Sequence, residues 1–347
     1  MDYAYSIDSF TAFQLGAKLG TNFVENSKAR DWFLHHFFAP RPHTVFWEVE
    51  VPRFTARLLE FGIRLIPEWC ETSRVAIEDY FIKRYDHAAE IVTADSDGDM
   101  TETKPSDWPA IFAVAKDKYG QLGKSSFITT EDKTSPPQPY HHRLQIASDM
   151  YDETAAAVET SGNALTFLHY ELARNPDIQS ALRLELQTLL PTASINPTPD
   201  FRQSISQLNL KTLDSLPLLD AILTETLRLY PPVGGPEPRI TPGPGPCTIS
   251  GHEGIPPGVR VQASAWSLHR NPEVFPEPEE WRPHRWMDAS PDKLTEMRRW
   301  FWAFGSGARM CIGKHFAVIC ELSVLTHLCT PVYILVVLTN GNKPGSD

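Results

Sequence analysis

A single cysteine, Cys311, stands among glycines in the stretch FWAFGSGARMCIGKHFA. Gly305, Gly307 and Gly313 permit backbone angles that are closed to other residues, so this loop can lie against a large flat partner. Cys311 precedes a predicted helix, whose first N–H groups favour a thiolate over a thiol. Arg309 adds a permanent positive charge that suits a carboxylate. Such a thiolate is a soft ligand for iron, and thiolate ligation of haem promotes O–O bond cleavage.

Two other interpretations of Cys311 stay open. A lone cysteine near a helix is most often a small buried hydrophobic residue. His315 follows Cys311 by four positions, so the pair could also be a nucleophile and its base in a hydrolase. The sequence shows no third group that would orient the histidine, and we therefore rank iron ligation above the nucleophile.

A second pattern places Glu225 and Arg228 three residues apart on a predicted helix, LPLLDAILTETLRLY, so that both lie on one face. A surface ion pair is the usual result of this spacing. Here leucine and isoleucine residues surround the two charges, and we expect the pair to be largely buried. A buried pair needs further partners to offset its desolvation, and Arg285 in WRPHRW is the candidate.

A third pattern, DMYDETAAAVETSGNAL, belongs to a long predicted helix. Its three consecutive alanines are small enough for a flat cofactor to approach the backbone. Glu159 and Thr160 follow them, an acid and a hydroxyl of the kind that can pass protons to bound oxygen. Taken alone, the pattern favours an ordinary solvated helix face.

Together these residues resemble the cytochrome P450 family. Phe304, Gly307, Arg309, Cys311 and Gly313 fit its haem-binding signature, F-x-x-G-x-R-x-C-x-G. The resemblance is to the fungal, microsomal-type branch in particular, and it covers the later part of a typical member, so the chain looks truncated at both ends. It implies a mainly α fold with a small β-sheet, the later part of the haem-thiolate monooxygenase fold.

The resemblance implies haem b, iron protoporphyrin IX, as the cofactor and Cys311 as its iron ligand. Arg309 and Arg239, which lies in a proline-rich loop, are implied anchors for the haem propionates. By the same resemblance, Thr160 stabilises bound oxygen and Glu159 helps to deliver protons. Three residues form the family's buried structural triad behind the haem loop: Glu225, Arg228 and Arg285.

The implied function is insertion of one oxygen atom of O2 into an apolar organic substrate, in fungal secondary metabolite biosynthesis. Electrons come from NADPH through a flavoprotein reductase, and family members usually reside at the endoplasmic reticulum membrane. The alternative is a non-catalytic fragment that keeps the signature without stable haem. Oxygen-dependent product formation separates the two.

Composition excludes several other classes. The formal net charge of -11 argues against a nucleic-acid partner, because phosphates favour a basic surface. Five cysteines without a C-x-x-C pair indicate a reducing compartment rather than a disulfide scaffold or a zinc site. We find no signal peptide and no segment that could span a membrane.

Basic residues also cluster in sequence around the Cys311 loop. With Arg285 and Arg309 assigned inward, the outer members could form a patch for an acidic electron donor, although a scatter of solvated charges fits equally well. These outer members are Arg282, Lys293, Arg298, Arg299 and Lys314.

Periodicity and helix breakers predict one partial domain over 1–347, with a loop-rich segment at 93–140 and an atypical tail at 331–347. Between Pro231 and Pro291 the many prolines predict short strands and no helix. The predicted strands are CTIS and VRVQAS. The predicted helices occupy most of 1–92, a short segment near 108–119, then 143–174, 177–190, 217–230 and 314–328.

Overall fold

The computed structural model of the chain is mainly helical, with two small antiparallel sheets, and confirms the predicted fold class. The chain is divided into two compact units, Met1–Glu159 and Thr160–Asp347. Part of the predicted loop-rich segment lies outside the described residues. So do Cys329, the last cysteine, and the predicted tail at 331–347. The structure describes residues 1–96, 104–122, 139–189, 213 and 215–328.

The described residues of the first unit form helices joined by turns and loops, without a strand. Its core contains stacked aromatic rings, with Phe23 against Phe33 at a centroid distance of 5.1 Å. Asn26 caps the second helix, because its side-chain oxygen accepts the N–H of Ala29 at 3.1 Å. The helices are α1 (Asp2–Leu15), α2 (Ser27–Phe38), α3 (Arg41–Val45), α4 (Pro52–Glu60), α5 (Glu68–Ser96) and α6 (Ala110–Leu122), with a π-helical turn at Phe46–Glu50 and a 3-10 turn at Pro105–Asp107.

A long helix, α7 (Pro139–Arg174), carries the alanine run and continues from the first unit into the second. It ends where the sequence predicts, because a residue before proline is disfavoured in a helix and Pro176 has no N–H to continue the ladder. Pro176 instead begins the next helix, α8 (Pro176–Gln187). No helix among the described residues is long and apolar enough to cross a membrane.

The second unit contains the remaining helices and both sheets. Glu185 of α8 accepts the N–H groups of Leu218 and Leu219 at 2.8 and 2.9 Å, which ties it to the start of the next helix. A separate core forms around Phe275 and Trp286. The helices after α8 are α9 (Pro217–Leu229), α10 (Ala265–Leu268), α11 (Arg285–Asp288), α12 (Pro291–Trp300) and α13 (Lys314–Leu328), with a 3-10 turn at Gly307–Arg309.

Four short strands make the two sheets, and two of them coincide with the predicted strands. β1 (Pro236–Ile240) pairs with β4 (Arg260–Ser264), and β2 (Cys247–Ile249) pairs with β3 (His252–Ile255). We did not predict β1, because its prolines cannot donate to a ladder. The strand tolerates them since it has only one neighbour. The expectation that no helix interrupts this stretch is wrong for α10 and α11, single turns that fit between prolines.

Candidate functional site

The carboxylate of Glu225, in α9, is fully buried and accepts hydrogen bonds on both oxygens. Arg228 donates to both through Nε and Nη2, each at 2.9 Å. Arg285 donates through Nε at 2.9 Å, and Trp286 donates its indole N–H at 2.9 Å. The backbone N–H of Arg282 completes the set at 2.9 Å. These five donated hydrogen bonds offset the cost of burying the carboxylate.

Arg228 also has a full set of hydrogen-bond partners for its guanidinium. Its Nη1 donates to the carbonyls of His269 and Pro278 at 3.0 and 2.7 Å, and its Nη2 also donates to the carbonyl of Glu280 at 3.0 Å. Its guanidinium has no exposed surface. All of its N–H groups therefore have acceptors, which offsets the cost of burying the charge.

Arg285 joins the same network from α11. Besides bonding Glu225, it donates to the carbonyls of Pro276 and Glu277 at 2.7 and 3.2 Å. Burial lowers its pKa, an effect that the Glu225 carboxylate opposes. The three residues that the sequence groups as a triad thus meet in one buried network, and they gather the backbone of 276–282 around it.

The Cys311 loop has an exposed tip. Gly305 and Gly307 adopt φ angles of 66° and 69°, a region that other residues rarely enter. The N–H of Cys311 donates to the carbonyl of Phe304 at 2.8 Å, which closes the loop. Cys311 itself is exposed. The backbone thus presents the sulfur at the surface of the loop.

Helix α13 begins at Lys314, so Cys311 precedes it and does not share a helix with His315. Gly313 has an ordinary backbone conformation, and a Cβ added there would lie 3.8 Å from the Cys311 Sγ. A larger side chain at 313 would therefore crowd the sulfur. The Nζ of Lys314 lies 5.8 Å from the centre of the Phe304 ring.

Apolar side chains on both sides of the sulfur are uncovered. Met310 is 51% exposed and Ile312 is 89% exposed. Arg309, beside them, is also exposed. Within the part of the chain that the structure describes, no three His, Cys, Asp or Glu side chains gather as metal ligands. The apolar rim and the cation fit an iron porphyrin with acidic substituents.

Strand β1 brings Arg239 to the same part of the unit. A Cβ built on Gly305 would lie 3.6 Å from a carboxylate oxygen of Glu237, so the strand contacts the loop. Arg239 is half exposed and donates to the Pro238 carbonyl at 2.9 Å and, more weakly, to Glu237 at 3.5 Å. Its role as a propionate anchor stays a prediction.

Glu159 and Thr160 lie on α7, each half-buried. The Glu159 carboxylate forms an ion pair with Arg41, whose guanidinium lies 4.4 Å from the centre of the Phe37 ring. Sequence reasoning missed Arg41, because nothing in its local sequence relates it to α7. Glu159 belongs to the first unit and Cys311 to the second, and their placement about one cofactor stays a prediction.

His269 is a further residue that sequence reasoning missed. It is fully buried, and its ring stacks on Phe301 at 5.4 Å with an interplanar angle of 9°. Nδ1 lies 2.9 Å from the Arg228 carbonyl, and Nε2 accepts the N–H of Trp302 at 2.7 Å. Burial lowers the pKa of His269 to about 4. Its partners are 33 and 41 residues away in sequence, so no local pattern identifies it.

The predicted basic patch is partly neutralised. Arg282 forms an ion pair with Glu277, and Lys293 forms one with Glu296 at 2.8 Å. Arg298 and Arg299, at the end of α12, are exposed.

Comparisons with known proteins agree with the signature. The cytochrome P450 family model matches residues 124–329, more than half of the chain. Rat cytochrome P450 11B2, mitochondrial (Rattus norvegicus), is 39% identical over 53% of this chain and 32% of its own length. A cytochrome P450 monooxygenase of Aspergillus terreus is 32% identical over 56% of this chain and 36% of its own length.

A third relative, cytochrome P450 monooxygenase FGM1 of Gibberella zeae, is 36% identical over 50% of this chain and 31% of its own length. The relatives thus include mammalian mitochondrial as well as fungal proteins. The chain spans about a third of the length of the curated relatives that it matches. On the strength of the family model and the Cys311 signature, the chain belongs to the cytochrome P450 family.

Proposed function

We propose that the chain is a haem-dependent monooxygenase, which inserts one oxygen atom of O2 into an apolar organic substrate. The observation that carries the proposal is the exposed Cys311 sulfur, with an uncovered apolar rim and a neighbouring arginine. Haem b, when bound, supplies the iron at which O2 is activated. The chain supplies the ligand, the anchors and the protons.

Cys311 would hold the iron as a thiolate. Gly307 and Gly313 keep the backbone and the space beside the sulfur open to a flat group, and Phe304 holds the loop closed through its carbonyl. Arg309 and Arg239 would pair with the acidic substituents, because a guanidinium matches a carboxylate in geometry and charge.

Glu159 and Thr160 would handle the protons that the reaction consumes. The Glu159 carboxylate is held by Arg41, so movement of this ion pair would be needed before the acid can exchange a proton. The Thr160 hydroxyl would donate a hydrogen bond to the reacting oxygen. General acid catalysis of this kind contributes about 10²–10⁴-fold in rate.

The proposed electron donor is a flavoprotein reductase that takes its electrons from NADPH. Arg298 and Arg299 support a docking surface for an acidic partner, since both are exposed. Reversing both charges with Arg298→Glu and Arg299→Glu should slow reduction at low salt and leave it unchanged at high salt, where screening removes the attraction. An equal rate at low salt would remove the patch from the proposal.

The apolar class of the substrate rests on the resemblance to the family. A cavity of about 160 Å³ in the first unit has a mixed lining, in which Phe37, Ile77 and Tyr151 lie beside charged side chains such as Glu48 and Arg74. Arg41, the partner of Glu159, lines the same cavity. We place the reaction in fungal secondary metabolism, on the resemblance and on the fungal relatives from Aspergillus terreus and Gibberella zeae.

The direct test is incorporation of labelled oxygen. The chain loaded with haem, a reductase and NADPH should transfer one atom of ¹⁸O₂ to each product molecule from a panel of apolar compounds. Thr160→Ala should lower the product formed per NADPH about tenfold or more. Thr166→Ala is the matched control, since that exposed hydroxyl bonds the Gly162 carbonyl of its own helix. Bound haem without any oxygen-dependent product would refute the proposal and favour a non-catalytic fragment.

A further inference from the structure

His269 connects the buried Glu225 network to the beginning of the Cys311 loop. Its Nδ1 lies against the carbonyl of Arg228, and Arg228 in turn donates to the carbonyl of His269. Its Nε2 accepts the N–H of Trp302, which stands two residues before Phe304. One side chain therefore bridges a network that is fully buried and a loop whose tip is exposed.

These partners fix the tautomer of the ring. The Trp302 N–H can only donate, so Nε2 must be the unprotonated nitrogen. The Arg228 carbonyl can only accept, so Nδ1 must carry the hydrogen. A second proton on Nε2 would place two donors head to head at 2.7 Å and break the bond to Trp302.

The surroundings also disfavour the protonated ring. The cations that act on it are Arg228, on α9, and Arg270, the next residue in the chain. Their carboxylate partners, Glu225 and Glu279, face the guanidinium groups.

The side chains that pack on the ring itself are aromatic, those of Phe275 and Phe301. Burial and the two cations lower the pKa of His269 to about 4, and the bond to the Arg228 carbonyl opposes them.

Two backbone hydrogen bonds lie between Trp302 and Cys311. The Trp302 carbonyl accepts the N–H of Gly305 at 3.0 Å, and the Phe304 carbonyl accepts the N–H of Cys311 at 2.8 Å. Trp302, held by His269 through its N–H, thus also bonds Gly305 at the start of the loop through its carbonyl.

We propose that His269 is a positioning residue, which in its neutral form holds the Trp302 end of the Cys311 loop against Arg228. The inference rests on the proposed function in one respect, namely that Cys311 ligates haem iron. Protonation of His269 releases this end of the loop while the Glu225 network persists.

Two substitutions separate the two bonds of the ring. In His269→Gln the amide oxygen reaches the position of Nε2, so it can accept the Trp302 N–H and does not titrate. In His269→Asn the amide nitrogen occupies the position of Nδ1 and donates to the Arg228 carbonyl, but the side chain does not reach Trp302.

The first readout needs no haem. Amide hydrogen exchange of the Trp302 N–H, corrected for intrinsic rates, is followed from pH 7 to pH 4. We expect the Trp302 N–H to lose protection in wild type as the pH falls and to keep it in His269→Gln. In His269→Asn the protection of this N–H should be about tenfold lower at every pH. Equal protection in wild type and His269→Asn at pH 7 would overturn the proposal.

The second readout is the absorption spectrum of the reduced, carbon-monoxide-bound, haem-loaded chain over the same range. The thiolate-ligated band should decline on acidification in wild type and persist further in His269→Gln. Identical acid profiles for these two proteins would contradict the inference. If wild type shows no thiolate-ligated band but the exchange pattern holds, the proposed function fails and the role of His269 stands.

Discussion

Two regions of the second unit differ in how far their reactive side chains are buried. Glu225 and Arg228 are wholly buried, and each polar atom of the two side chains has a partner at 2.7–3.0 Å. Cys311 is exposed, and the neighbouring Ile312 is 89% exposed. His269 lies between them, bonded to both sides.

The buried network and the exposed loop have different roles in the unit. Groups that complete each other's hydrogen bonds have nothing left for a ligand, so the Glu225 network belongs to the fold, and removing one partner would leave a buried charge uncompensated. Uncovered apolar surface beside a free thiol is unfavourable in water unless something covers it. The exposed loop is where we propose that a cofactor binds.

The largest expected effect comes from breaking the buried network. Arg228→Ala should lower the free energy of unfolding by about 3–5 kcal/mol, because it leaves the Glu225 carboxylate buried with fewer donors. Denaturant titration followed by circular dichroism measures it. Arg74→Ala is the matched control, since its ion pairs with Glu71 and Glu78 are exposed, and it should cost less than about 1 kcal/mol. Equal losses in the two variants would contradict the contrast.

Glu321 differs from Glu225, because it is buried without such a network. Its Oε2 has no hydrogen-bond partner among the described residues, and burial raises its pKa to about 8. The folded protein therefore holds this proton more tightly than the unfolded chain. The stability that it contributes is present below the unfolded pKa and is lost as the pH rises through 8.

Glu321→Gln does not titrate, so the variant should gain at least about 1 kcal/mol over wild type between pH 5 and pH 8. Denaturant titration at both pH values gives the difference. A constant gap between the two proteins would show that the carboxyl titrates normally.

A smaller effect is expected in the loop. Gly307→Ala places a Cβ at a φ of 69° and should cost about 1–2 kcal/mol, although the space around it is open. Gly313→Ala, at an ordinary backbone angle, should leave stability nearly unchanged. Thermal unfolding of both variants distinguishes the cost of backbone strain from the cost of crowding. A larger loss of stability in Gly313→Ala than in Gly307→Ala would contradict the assignment of the strain to Gly307.

Much of this arrangement could be predicted from sequence, because the signals are local. The Glu225 and Arg228 spacing, the break at Pro176 and the start of α13 each depend on neighbouring residues. His269 and Arg41 could not be predicted, since their partners are distant in the chain. Strand β1 was missed because its prolines obscured the pattern of a strand with a single neighbour.

The smallest expected effect on stability is at the sulfur itself. Cys311→Ala removes an exposed side chain and should change the free energy of unfolding by less than about 0.5 kcal/mol. Denaturant titration without haem checks it. A large loss would assign Cys311 to the fold rather than to a ligand.

The central claim is tested most directly by the absorption spectrum of the reduced chain exposed to carbon monoxide. Wild type is compared with Cys311→Ala and with Cys247→Ala, a control at a half-buried cysteine on β2. We predict a Soret band at the thiolate-ligated position in wild type and in the control, lost in Cys311→Ala. Absence of haem from wild type, a histidine-ligated band, or the same band in Cys311→Ala would contradict the account.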